Sequence, residues 1–325
     1  MKFEQLKQSL KEKIEAVYLI EGEEIFFRTR AVEMIKAACL SEPDLNLTKT
    51  TGADIKSDGT DALIMSLKSV PFMSEKRVVE VTEWYPTAQE LKDKFLKEYF
   101  SAPDETSVLI IINEKSADQL KKISSVTVVE CARADEQLIT RYIRSKATKA
   151  NLIISASVCA KIIDCCQCDL VKIDGEVDKL IDYCKDKSEI DEKAVDLLVT
   201  KDADYQIYEI VNFISRKDFT NAYKIISEMR TPSEKQMLIV SLYNHFRRMF
   251  YCLTTKEDNA SIAEKLGVKE YAVKKTKEQA VRFSAKRLKV IIDKLAASDA
   301  AFKSGAKSID GVFAECIFTI LTDNK

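Results

Sequence analysis

The first third of the chain alternates two kinds of apolar spacing. Short β-like runs, VYLI at 17–20, NLTKTT at 46–51, KRVVEVT at 76–82, SVLIIIN at 107–113 and VTVVEC at 126–131, predict five strands. Between them, apolar residues recur at helical spacing near 25–40, 60–68, 88–100 and 116–124. Alternating strands and helices predict a parallel sheet. RVVEV and SVLIII, apolar almost without interruption, predict strands covered by helices on both faces.

After about Arg133 the strand signal stops and helical spacing continues nearly to the last residue. A first group, 134–203, holds EQLITRYIRSKATKA, SASVCAKIIDCC, LVKIDGEVDKLIDYC and DEKAVDLLV, a small helical domain of four elements; Asp174 and Gly175 interrupt the third and leave its boundary open. A second group, 204–325, runs from QIYEIVNFISRK through MLIVSLYNHFRRMFYCL and KRLKVIIDKLAASDAAFKSG to FAECIFTILTD and predicts a helical bundle. The expectation is an α/β domain over 1–133 followed by two all-α domains.

A chain of 325 residues favours more than one core, and 46% hydrophobic residues with 7 Gly and 5 Pro predict a folded, largely helical protein. The 51 basic and 52 acidic residues nearly cancel, so any binding to nucleic acid must be local. MKFEQLKQSLKEKIEAVYLI carries charges throughout, unlike a secretion signal, and no stretch approaches a membrane span; a cytoplasmic protein that meets no membrane is expected. In a reducing compartment the nine cysteines read as small buried apolar residues. Cys165, Cys166 and Cys168 in DCCQCD lack a second CxxC or a His pair at zinc spacing, so neither metal nor other cofactor is expected.

A parallel sheet followed by a small helical domain is the layout of ATP-driven machines, and their phosphate loop belongs directly after the first strand. There, GxxxxGK[ST] lets glycine amides close on phosphate while a lysine adds charge. Here VYLI is followed by EGEEIFFRTR, with one glycine, Gly22, among Glu21, Glu23 and Glu24, whose carboxylates repel phosphate. Neither RVVEVTE nor LIIINE ends in the Asp-Glu pair that would hold magnesium. The single histidine, His245, lies in the helical YNHFRRMF and reads as structural, and there is no GxSxG. Catalysis by this chain is not expected.

Several segments, in order, carry a family likeness. VYLIEGEEIFFRTRAVEMI, SVPFMSEKRVVEV, IYEIVNFISRKDFTNAYKII, LYNHFRRMF, IAEKLGVKEYAVKKTKEQAVRFS and SDAAFKSG resemble landmarks of the clamp-loader delta subunits of bacterial DNA polymerase III. The resemblance spans nearly the whole chain, although 151–199 matches in helical pattern only. It implies an AAA+-like domain with a degenerate nucleotide site, a small helical lid and a C-terminal collar. It also implies a subunit that grips the beta sliding clamp and helps open it for loading onto primed DNA. The implied partners are the tau/gamma ATPase subunits and delta-prime in a hetero-pentamer, with DNA met through the assembled complex.

Under that resemblance the clamp-binding tip is Val70, Pro71, Phe72 and Met73. A helix from about Asp61 to Lys68 precedes it, and Pro71 pushes Val70 out of helical geometry. The residues alone leave two readings open: Phe72 and Met73 project as an apolar plug, or they close the domain's own core.

Residues 265–294 hold ten Lys or Arg against three acids, a local net of plus seven. Lys274, Lys275, Lys277, Arg282, Lys286 and Arg287 form a candidate basic patch for DNA or for collar assembly. SIAEKLGVKEYAVKKTKEQA also has the look of a helix-turn-helix. The rival functions are therefore an AAA+-like scaffold of another complex and a DNA-binding regulator.

Overall fold

A computed structural model describes residues 1–40 and 43–322. The chain forms two compact units, Met1–Asp135 and Glu136–Lys325. The helices expected of a second and a third domain both fall in the second unit.

The first unit is built on β1 (Val17–Glu21), β2 (Leu47–Thr51), β3 (Arg77–Thr82), β4 (Ser107–Asn113) and β5 (Thr127–Glu130), all parallel in the order β2-β3-β4-β1-β5. The five strands lie where the apolar runs predict them. Register puts Val79, Leu109 and Val17 side by side, and side chains alternate faces along each strand. Val17, Leu19, Val79, Val81, Leu109 and Ile111 share one core with residues of α4 (Gly52–Asp58), α5 (Asp61–Lys68) and α6 (Lys94–Ser101). Tyr18, Ile20, Val78, Val108 and Ile110, equally buried, face the other way, toward the side where α1 (Phe3–Glu12) and α2 (Ile25–Cys39) contact the sheet. Double coverage accounts for the uninterrupted apolar runs. One short helix remains, α3 (Pro43–Asn46), directly before β2.

Two expected helices shrink. Of 88–100, the first part is a single 3-10 turn at Glu90–Lys92, because the Asp93 carboxylate accepts the amides of Phe95 and Leu96 and starts α6 there. Of 116–124, only a 3-10 turn at Leu120–Lys122 forms, its approach tied down by the Ala117 amide donating to the Glu21 carboxylate.

In the second unit come α7 (Glu136–Lys149), α8 (Ala156–Cys165), α9 (Leu170–Cys184) and α10 (Glu192–Leu198). A two-residue parallel ladder, β6 (Ile153–Ile154) with β7 (Glu189–Ile190), corrects the expectation that no strand follows Arg133. α9 runs unbroken through Asp174 and Gly175. Gly175 faces open space, and Asp174 accepts from Tyr142 and Lys146 on α7, so the pair that interrupts the pattern is an anchor between helices.

The remaining helices are α11 (Ala203–Ser215), α12 (Phe219–Ile226), α13 (Pro232–Thr254), α14 (Asn259–Leu266), α15 (Glu270–Ala280), α16 (Ala285–Lys303) and α17 (Ile309–Thr322). α13 packs against α11, α15, α16 and α17, and its Leu238, Leu242, Phe246 and Met249 fill the bundle's core. Among the described residues no helix is long and apolar enough to cross a membrane.

Cys165, Cys166 and Cys168 sit among these helices with burial pushing their thiols up, to about 11 for Cys165 and about 12 for the other two. They stay protonated at neutral pH and act as small apolar side chains.

Candidate functional site

The segment between α5 and β3 carries the predicted tip. α5 turns Leu63, Ile64 and Leu67 into the core and ends at Ser69, whose backbone is extended and whose hydroxyl donates to the Met65 carbonyl. Beyond it Val70 is 85% exposed, Phe72 57% and Met73 83%, with Pro71 half-buried. Met73 adopts φ 50°, a left-handed conformation uncommon outside glycine. Of the two readings left open, closure of the domain's own core does not hold: the apolar side chains stand in solvent.

A buried residue with no signal in the sequence holds this backbone. Asn46, 1% exposed at the end of α3, accepts the Phe72 amide at 2.7 Å through Oδ1 and donates Nδ2 to the Phe72 carbonyl at 2.9 Å. Its partner is 26 residues away, so neither periodicity nor turn chemistry could point to it. Met65, 72% exposed, also escaped the sequence reading; it lies off the buried stripe of α5.

The loop after β1 lies at the opposite, C-terminal edge of the sheet. Gly22 has φ 135°, and its amide donates to the Asn113 carbonyl while Cys131 and Glu24 amides bond to the Glu21 and Cys131 carbonyls. A Cβ added at Gly22 would stand 2.3 Å from the Cys131 oxygen. Where a phosphate loop would open, this turn is closed onto β4 and the end of β5.

The acids there are committed. Glu21, buried, accepts from the Ala117 amide at 3.0 Å and pairs with Lys121; Glu24 accepts from the Phe26 amide at 3.4 Å, so a resident carboxylate already occupies the start of α2. Glu23 is exposed. Asn113, fully buried, grips the Trp84 backbone as Asn46 grips Phe72, Nδ2 to the carbonyl at 2.8 Å and Oδ1 from the amide at 3.0 Å.

The family model described as DNA polymerase III, delta subunit, matches residues 18–132, and a second model, for the C-terminal domain of the DNA polymerase III delta subunit, matches 204–319. The chain belongs to the DNA polymerase III delta-subunit family. The curated DNA polymerase III subunit delta of Bacillus subtilis is 25% identical over 94% of this chain and 93% of its own length. A probable DNA polymerase III subunit delta of Rickettsia prowazekii is 24% identical over 59% of this chain and 61% of its own. Among solved structures, the Bacillus subtilis DNA clamp loader delta protein shares the fold at a TM-score of 0.74, with 23% identity over 98% of this chain and 99% of that one.

In this delta-family chain most of the basic patch has intrachain partners. Lys274 pairs with Glu136, Lys275 with Asp164 at 2.9 Å, and Lys277 donates to the Glu257 carbonyl at 3.2 Å. Arg282 reaches Asn212 at 2.9 Å, and Arg287 reaches the Ile320 carbonyl at 3.0 Å. Of the six, Lys286 is exposed and has no ion pair or side-chain hydrogen bond among the described residues. The plus seven of the sequence is therefore largely internal adhesive.

The apparent helix-turn-helix has its turn: Gly267, φ 63°, closes α14 just before α15. Its second helix, however, buries Tyr271, Ala272, Val273, Thr276, Gln279 and Ala280 in the bundle. Lys274 and Glu278 are the exposed middle of the helix that a DNA groove would have to receive. His245 is likewise inside: its Nδ1 lies 3.2 Å from Arg248 and its Nε2 2.7 Å from Gln279, which donates to the Tyr208 carbonyl at 2.8 Å. Burial, with the Arg248 charge beside it, pushes its pKa down to about 3, so the ring is neutral.

Proposed function

We propose that this delta-family chain works in a clamp loader, where it binds the ring-shaped beta sliding clamp through Val70, Pro71, Phe72 and Met73 and helps open it for loading onto primed DNA. The observation that carries the reading is the exposed apolar tip whose backbone is fixed by buried Asn46. An apolar group held in solvent on an ordered backbone loses little conformational freedom on binding and gains the whole of its desolvation. Burying Phe72 in a partner pocket contributes about 1.5 to 3 kcal/mol.

Opening a ring requires more than affinity. A subunit that binds closed and opened protomers equally shifts nothing, so the tip must fit the opened shape better. With the loop at Gly22 closed, the chain does not hydrolyse nucleotide itself; ATP-driven motion comes from the tau/gamma subunits, with delta-prime completing the pentamer. In this reading 1–133 is the clamp-binding AAA+-like domain, 134–203 the lid and 204–325 the collar, and the complex works in the cytoplasm.

The deciding experiment is capture of sliding clamp by the immobilised chain, wild type against Phe72→Ala. Loss of capture with an unchanged melting temperature supports the tip; equal capture by both proteins rejects it. A scaffold that touches no clamp would capture none in either form.

A further inference from the structure

We propose that the collar helices carry a phosphate-binding recess, formed by Arg247 and Arg248 with Ser241 and Asn244. A cavity of about 330 Å³ lies between α13, the start of α11 and the turn joining α14 to α15. Ser241, Asn244, Arg247 and Arg248 fall at helical spacings of three, three and one, so α13 presents them to the same recess. Leu266 and Val268 make its apolar wall, and Asp204 is its one acid.

The charges in this wall are unbalanced. Two guanidinium groups face one carboxylate, and that carboxylate is 3.4 Å from Arg248 and more than half exposed. Arg248 is nine-tenths buried, yet its Nε has no hydrogen-bond partner, and among the described residues its only other side-chain hydrogen bond is to the neutral ring of His245. A buried guanidinium served by one long ion pair is costly unless another acceptor arrives. Arg247, Asn244 and Ser241 have no side-chain hydrogen bond or ion pair among the described residues, which leaves three further donors uncommitted around the same space.

The chemistry that answers this arrangement is a phosphate oxyanion. Its oxygens accept from the flat fork of an arginine two at a time and still leave acceptors for an amide and a hydroxyl. The apolar wall suits the sugar that carries such a phosphate in a nucleic-acid strand, whereas free phosphate would use the polar side alone.

Titrating the full chain with a fluorescein-labelled oligothymidylate, read by anisotropy, and with inorganic pyrophosphate, read by calorimetry, tests the recess and separates the two sources. Saturable binding of either ligand is expected. Arg247→Ala should weaken it about tenfold, and for the oligonucleotide reduce the salt slope by about one. Asn244→Asp, a surface change that sets a carboxylate in the recess, should remove it, while Lys224→Ala, at an exposed position of α12, leaves it unchanged. Arg248 is buried and its variants bear on folding, so the exposed pair carries the test. The proposal fails if neither ligand binds, or if binding survives Arg247→Ala and Asn244→Asp. It fails equally if polyglutamate, but no phosphate ligand, binds in an Arg247-dependent way, since the recess would then serve a protein carboxylate.

Discussion

The side-chain amide of Asn46 holds Phe72 by both backbone groups, one bond accepted and one donated. An asparagine is suited to this because its carbonyl and amino ends match the spacing of a residue's own amide and carbonyl. Asn46→Ala would strip the part-buried Phe72 amide and carbonyl of their partner, at about 0.5 to 1.5 kcal/mol for each bond. The expected outcome is a lower denaturation midpoint together with weaker clamp binding, although Asn46 itself, being buried, cannot touch the clamp. Asn46→Asp keeps the acceptor and loses the donor, and should fall between wild type and alanine in surface plasmon resonance with immobilised clamp.

Phe72→Ala separates affinity from stability in the opposite way. The ring lies outside the domain core, so the melting temperature should stay put. Clamp affinity should drop about 10- to 150-fold, the equivalent of losing 1.5 to 3 kcal/mol. A calorimetric titration showing less than a threefold change would remove Phe72 from the interface.

Gly22→Ala probes the closed loop. The new methyl meets the Cys131 carbonyl oxygen in a backbone conformation with φ 135°, and the two effects together should destabilise the first unit by about 2 to 4 kcal/mol. A urea midpoint unchanged from wild type would mean that the turn can move aside.

His245 gives the fold a dependence on acidity. Its pKa falls from 6.5 to about 3 on folding, so between those values the unfolded chain binds the extra proton. Stability is then full above about pH 6.5 and declines as pH drops toward 3, with a slope of at most about 1.4 kcal/mol per pH unit. In His245→Gln, the decline in urea midpoint between about pH 6.5 and about pH 5 should be shallower than in wild type; parallel declines would assign the acid sensitivity to carboxylates instead.

Most of the sheet was legible because its signal is local. VYLI, RVVEVT and SVLIIIN are apolar on both faces, and a strand covered on both faces needs nothing more. α5 was readable for the same reason. α4 was missed although Thr51 and Asp54 form a capping box, each side chain accepting the other's amide; the cue was present and brief. β6 and β7 have two residues each, too few for periodicity to register. At the tip, the family resemblance pointed to the exposed residues where the residues alone left two readings open, whereas the residue that secures them comes from another crossover of the sheet. The basic run was only partly legible for a related reason: charge counts along the chain cannot see that Glu136 and Asp164 stand opposite Lys274 and Lys275.

Because all five strands run the same way, Phe72 sits just ahead of β3, at the end where the strands begin. A pull on it directed along the strand axis would enter the sheet through β3. β3 is flanked by β2 and β4 through bonds that lie across that axis, so the load falls on the whole ladder at once, in shear, and not on one bond after another as in unzipping. The edge at Phe72 is thus the stiff direction of the domain, and a tip that pries open a clamp, as proposed, would transmit that force without peeling its own scaffold.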